Sequence, residues 1–241
     1  MATYRDEAIA IRSIRLGEAD RIVTFLTPEH GKVRAVAKGV RKTKSKIGAR
    51  VEPPSHVALM CWRGRELDVV TQAETLDAFR SVRESLELFS GAIAMLEVAD
   101  QVALERTASP ELFTLTLNAL RTLERTASPL VPGAFFLKLL VLEGVGPVAA
   151  GCAGCGDPGP LVAFDPSAGG FLCRACRRGM VVGPEIVELI QAVLSGGLAR
   201  VLGEAPVALA PELDRVAVAA VEHHLDRRLR AARHLLEPDF A

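Results

Sequence analysis

Four cysteines in two tight pairs, Cys152-Ala-Gly-Cys155 and Cys173-Arg-Ala-Cys176, constrain this chain more than any other feature. Seventeen residues separate the pairs, a layout that suits one tetrahedral Zn2+ held by four thiolates. Two residues between ligands let one tight turn present both sulfurs to a single ion. Gly154 and Gly156 free that turn to take positive φ and aim backbone N–H groups at sulfur. Leu161–Phe164 and Phe171–Leu172 read as short strands around the turn Asp165–Gly170, so residues 148–180 are expected to form a zinc ribbon. Disulfides need an oxidising compartment, and the polar start Met1–Glu7 lacks the apolar run of an export signal. A catalytic zinc keeps an open position that four cysteines do not leave, and two pairs at ribbon spacing favour metal over a redox CxxC. The expectation is one structural zinc, with Arg174, Arg177 and Arg178 placed to offset its net negative charge. The fifth cysteine, Cys61, sits in an apolar run and reads as a core residue.

A length of 241 residues allows two or three units with cores of their own. The longest apolar stretch, Ala134–Ala150, contains Lys138 and Glu143, so no membrane span is expected and the location is expected to be cytoplasmic. The zero net charge conceals an asymmetry. Residues 1–65 hold fourteen Lys/Arg against six Asp/Glu, and Lys32–Arg50 alone carries eight basic residues and no acid. Such a concentration of positive charge points to a polyanion.

The first 75 residues read as five short strands: Ala8–Arg15, Arg21–Thr27, Lys32–Lys38, His56–Trp62 and Leu67–Glu74. Five such strands can close into a Greek-key barrel of the OB type, although composition does not separate that from an SH3-like barrel. From Arg80 the period becomes helical. The hexapeptide Glu105-Arg-Thr-Ala-Ser-Pro110 recurs as Glu124–Pro129, and Ser-Pro suits a helix N-terminus in both copies. Pro184 opens a helix after the ribbon, and Pro211 opens a longer one expected to run to about Leu236. The class is therefore α+β: an OB-type barrel over 1–78, then a helical domain over 79–241 interrupted by the ribbon.

No catalytic set emerges. The chain lacks a GxxxxGKS/T loop, a helix-opening GxGxxG, HExxH and GxSxG, and its five histidines are scattered. Chemistry concentrates instead on Lys32, Arg34, Lys38, Arg41, Lys42, Lys44, Lys46 and Arg50, a strand and loop suited to a phosphate backbone. The plain alternative is a solvated basic loop. Phe25 and Trp62 are the nearest aromatic candidates for stacking bases, so binding should lean on phosphates.

Leu16-Gly-Glu-Ala-Asp-Arg-Ile-Val-Thr-Phe-Leu-Thr27, followed by His30-Gly-Lys-Val-Arg-Ala-Val-Ala-Lys-Gly-Val-Arg41, resembles the N-terminal region of the RecO family of bacterial DNA repair proteins. The order of units also matches. The resemblance implies an OB-fold, a helical domain and an interrupting zinc ribbon in a non-enzymatic recombination mediator. Such a mediator binds single- and double-stranded DNA, anneals complementary strands, and acts with RecR to help RecA displace the single-strand-binding protein SSB. It also implies DNA contacts on the barrel's basic residues and a nucleoid-associated location. Two other classes stay open: a zinc-ribbon adaptor whose basic patch meets an acidic protein tail, and a metal-dependent nuclease.

Overall fold

The computed structural model describes residues 2–42, 45 and 47–236. It divides into two compact units, Met1–Arg125 and Thr126–Ala241.

The first unit is built on five strands: β1 (Thr3–Leu16), β2 (Asp20–Thr27), β3 (Gly31–Ala37), β4 (Ser55–Trp62) and β5 (Asp68–Asp77). They close into a barrel of order β1-β2-β3-β5-β4. β1 is long enough to serve two neighbours. Its first half, Thr3–Ala10, pairs with β4, while Ile9–Leu16 pairs with β2. A bulge between Ala10 and Arg12 bends the strand where it passes from one partner to the other. β3 and β5 run parallel, Ala35 opposite Asp68 and Val36 opposite Val69. A meander pairs only consecutive strands, so this crossing is the Greek-key closure of an OB-fold and excludes the SH3-like alternative.

Alternation, interrupted by bulges in β1 and in the β4–β5 pair, fills the barrel. Ala8, Ala10, Val23, Phe25, Ala35, Ala37, Val57, Leu59, Cys61, Val70 and Ala73 all point inward. Four of the barrel's inward residues on β1 and β3 are alanines, which leaves room for the Phe25 ring at the centre of a narrow barrel. Cys61 is a buried core residue, and burial pushes its thiol up to about 12. In the turn between β4 and β5, a Cβ on Gly64 would come within 1.9 Å of the Leu67 carbonyl oxygen, so only glycine closes it.

Three helices complete this unit: α1 (Arg80–Glu84), α2 (Leu86–Val102) and α3 (Pro110–Thr126). Ser85 caps α2 by accepting from the Leu88 amide. After α2 the chain runs along the edge of β3: the Lys32 amide donates to Leu104 O at 3.1 Å, and the Arg106 amide to Lys32 O at 3.0 Å. Gly31, at φ 63, ends the β2–β3 turn, and any Cβ there would strike the Thr107 carbonyl.

The second unit packs α4 (Val131–Leu142) against α5 (Pro184–Leu194) and α7 (Ala210–Leu225), with α6 (Leu198–Glu204) between the last two. α4 precedes the cysteines and the other three follow them, so the ribbon is an insertion in one helical body. α4 is apolar except at Lys138 and is buried over Val131–Leu137 and at Leu139 and Leu140. It approaches α7 closely because Gly133 has no side chain; a Cβ there would lie 2.7 Å from both Leu213 and Asp214. The expected helix from Pro211 to Leu236 is broken. Asp226 turns left-handed at φ 48, and the Glu222 carboxylate accepts from the Leu229 amide at 2.8 Å. The chain folds back to bury Leu229 and Ala232, and a last turn, α8 (Arg233–Leu236), follows.

Candidate metal centre and nucleic-acid interface

The ribbon sheet has order β7-β6-β8, with β6 (Leu161–Asp165), β7 (Gly170–Cys173) and β8 (Met180–Val181). The first two are the expected strands; two residues were too short a stretch for the third to be read from sequence. Phe164 and Phe171 meet edge-on at 5.1 Å and supply a small apolar centre. The sulfurs of Cys152, Cys155, Cys173 and Cys176 all lie within 4.8 Å of one another, and none forms a disulfide. Cys155 and Cys173 sulfurs are 3.8 Å apart. Tetrahedral Zn–S bonds of about 2.3 Å require sulfur separations of about 3.8 Å, so the cage fits that ion.

Local backbone supports it. The Gly154 amide points at Cys152 Sγ at 3.4 Å, and a Cβ on Gly154 would sit 3.2 Å from Cys176 Sγ. Gly156 takes φ 81 as expected, and Gly179 φ 76. Backbone amides, that of Cys173 foremost, pull the Cys152 thiol down to about 6, whereas the neighbouring thiols of Cys155 and Cys152 push Cys176 up to about 12. Four adjacent thiols cannot all ionise beside one another unless a cation takes up the charge. The cluster can therefore hold a metal ion. Arg174 and Arg177 are exposed beside it, but Arg178 is ion-paired to Asp165.

The eight basic residues of the barrel do not form one uniform patch. Lys32 donates to Asp100 O at 2.7 Å and pairs with its carboxylate at 3.5 Å. Arg34 faces Glu105 at 3.9 Å, and Arg12 faces Asp100 at 3.6 Å. Arg50 donates to Ala73 O at 2.9 Å. These side chains tie local structure together. Arg41 links the β1–β2 loop to the turn after β3 by donating to Gly17 O and Glu18 O at 3.2 and 2.7 Å, yet stays exposed. Lys38 and Lys42 are exposed and make no ion pair among the described residues. Lys44 and Lys46 lie outside the described residues.

Two exposed arginines that sequence reasoning passed over, Arg63 and Arg65, stand in the β4–β5 turn. In OB-folds the β2–β3 face and the β1–β2 and β4–β5 loops hold oligonucleotides. Knowing the strand order would have pointed to them. Of the two aromatic candidates, Phe25 is removed: it is fully buried in the barrel core and no base can reach it. Trp62 is exposed.

No helix among the described residues is long and apolar enough to cross a membrane. The family model described as recombination protein O N terminal matches residues 1–79, and that described as recombination protein O C terminal matches residues 83–233. The first covers the barrel with its exposed cations, the second the helices and the cysteine cage. The chain therefore belongs to the RecO family, recombination mediators with a role in DNA repair.

Proposed function

We propose that the protein binds single- and double-stranded DNA through its barrel, anneals complementary strands without ATP, and acts with RecR to help RecA load onto SSB-coated single strands. The observation that carries this reading is the placement of Lys38, Arg41 and Lys42, exposed beside the β1–β2 loop of an OB-fold in a RecO chain. Exposed cations neutralise phosphates and release condensed counterions, which lowers repulsion between two strands. Few aromatic side chains are available to hold bases, so bases stay free to pair. The functional division is 1–78 for DNA and 79–241 for the helical body, on which the acidic SSB tail docks. One structural Zn2+ on the four cysteines keeps the ribbon folded. The protein works on the nucleoid in the cytoplasm.

Fluorescently labelled complementary strands test this. Annealing should proceed without nucleotide and in the presence of SSB, slow as salt rises, and slow further when the acidic SSB tail is deleted. An ATP requirement, or complete block by SSB, sinks the mediator reading and favours the adaptor.

A further inference from the structure

A carboxylate occupies a place where the barrel's alternation calls for an apolar side chain. Asp6 lies two residues before Ala8, in the inward-facing row of β1, and pairs with Leu59, a core residue of β4. Its side chain is only 3% exposed. The turn between β2 and β3 meets it there, with His30 Nδ1 at 2.7 Å from Asp6 Oδ2. Glu29, beside His30 in that turn, adds a second carboxylate. One donor atom from each of these three residues lies within 4.8 Å of the other two.

A buried carboxylate beside a second one is costly unless positive charge offsets both. One protonated imidazole offsets only one. Neither Asp6 nor Glu29 pairs with a lysine or arginine among the described residues. Arg63, over the adjacent Tyr4 ring at 5.4 Å, forms an ion pair with neither. The imidazole is held in place, its ring 4.3 Å from that of Tyr4 and its backbone amide donating to Thr27 Oγ1 at 3.1 Å. An imidazole and two carboxylates form a mixed nitrogen–oxygen donor set, which suits zinc, nickel or cobalt, whereas Mg2+ and Ca2+ take oxygen ligands.

We infer that Asp6, Glu29 and His30 bind a divalent first-row transition cation where the β2–β3 turn meets β1, in addition to the ion of the four-thiol cage. The cation takes the place of the proton shared by His30 Nδ1 and Asp6 Oδ2, which leaves to solvent. Ligand atoms about 2.0–2.2 Å from such an ion stand about 3.0–3.5 Å apart. The His30–Asp6 pair therefore opens slightly, and Glu29, which is exposed, swings inward to complete the set. Three protein ligands leave at least one position for water. The ion ties β1 to the turn, and the inference does not depend on DNA binding.

Titration of the full-length, zinc-loaded protein with Co2+ tests this. One Co2+ per chain should bind without thiolate-to-cobalt absorption, which marks entry into the cage. Because Co2+ is paramagnetic, the amide NMR signals of Asp6, Glu29, His30 and Gly31 should shift or broaden, while those of His223 and His224 stay in place. His30→Gln should weaken binding by more than about a hundredfold, beyond the 10–100-fold typical when only an outer partner of a ligand is lost. Glu29→Gln should weaken it at least tenfold. Glu29 is exposed and makes no other side-chain contact among the described residues, so this variant decides the matter even if His30→Gln disturbs the barrel. Excess Mg2+ should not compete. No Co2+ bound outside the cage, wild-type affinity in either variant, equal competition by Mg2+, or paramagnetic effects centred on other histidines would each overturn the site.

Discussion

Two buried aspartates show how differently the two units manage charge. In the barrel, burial pushes the Asp68 carboxyl up, but the Tyr4 hydroxyl at 2.5 Å, the Gly64 amide at 3.0 Å and Arg106 at 3.1 Å outweigh it and hold it below the usual range. In the helical unit, Asp214 is 4% exposed with Oδ1 lacking any hydrogen bond, and burial pushes it up to about 8 despite the Gly133 amide. The ribbon repeats that second situation with four thiols instead of one carboxyl. The barrel satisfies Asp68 from its own residues, and Asp165 of the ribbon is likewise held by Ser167 and Arg178. The second unit nevertheless leaves Asp214 and the four thiols to bind protons or a metal. Its stability should therefore depend on solution conditions in ways the barrel's does not.

The largest effect follows at the cysteines. Three short strands around one Phe164–Phe171 contact bury too little apolar surface to hold together alone, whereas zinc binding adds about 10–16 kcal/mol in small zinc units. Cys173→Ser should lose its zinc and make residues 148–180 sensitive to protease, while Trp62 emission, which reports the barrel, stays native. Wild-type protein carrying far less than one zinc per chain, with Cys173→Ser equally protease-resistant, would abolish the contrast.

The aspartates give the next largest effect, with opposite signs. Asp214 has a folded value near 8 against 3.8 unfolded, so its contribution is greatest below pH of about 4 and is lost as pH rises toward 8, at up to about 1.4 kcal/mol per pH unit. Asp68 has a lowered folded value; its contribution is present above pH of about 3.8 and is lost as pH falls further. Hydrogen exchange in α4 and α7 should accelerate from pH 5 to pH 8 beyond the intrinsic rate change, and Asp214→Asn should remove that excess. Barrel amides near Asp68 should show no such loss in this window. An unchanged pH profile in Asp214→Asn would mean that the buried carboxyl is solvated in solution.

Much of this was legible in the sequence, because period-2 alternation, cysteine spacing and helix-opening prolines are local signals. The five strands, the four-thiol cage and the ribbon insertion all come from such signals. The parallel β3–β5 pair does not, since strand order is a long-range property. Nor does the fate of the repeated hexapeptide. Glu105 bridges to Lys32 of β3, Arg106 turns left-handed at φ 57 and reaches Asp68, and Pro110 starts α3. In the second copy Glu124 is helical and caps α1 by accepting from the Ser81 and Val82 amides at 3.1 and 2.9 Å; helix α4 starts two residues after Pro129. Six identical residues thus adopt two structures, each set by its tertiary partners. The same limit applies to the basic segment: sequence counts cations, but only packing reveals that Asp100 and Glu105 engage Lys32 and Arg34.

That division among the cations supplies the smallest and most discriminating effect. Lys38 and Lys42 are exposed and unpaired among the described residues, so Lys38→Ala with Lys42→Ala should change stability by no more than about 0.5 kcal/mol. If each meets a phosphate, the slope of log affinity against log salt for single strands should flatten by about 1.4, since each contact contributes about 0.7. Lys32 is 17% exposed, bonded to Asp100 O and paired with its carboxylate, so Lys32→Ala should act the other way. It leaves the Asp100 carboxylate without that partner and lowers barrel stability by about 1–3 kcal/mol, with little change in the salt slope. Salt titrations and denaturant melts of both variants check the pair. A slope that flattens for Lys32→Ala but not for the exposed pair would show that DNA displaces Asp100, placing the phosphates along β3 rather than at the loop end of the barrel.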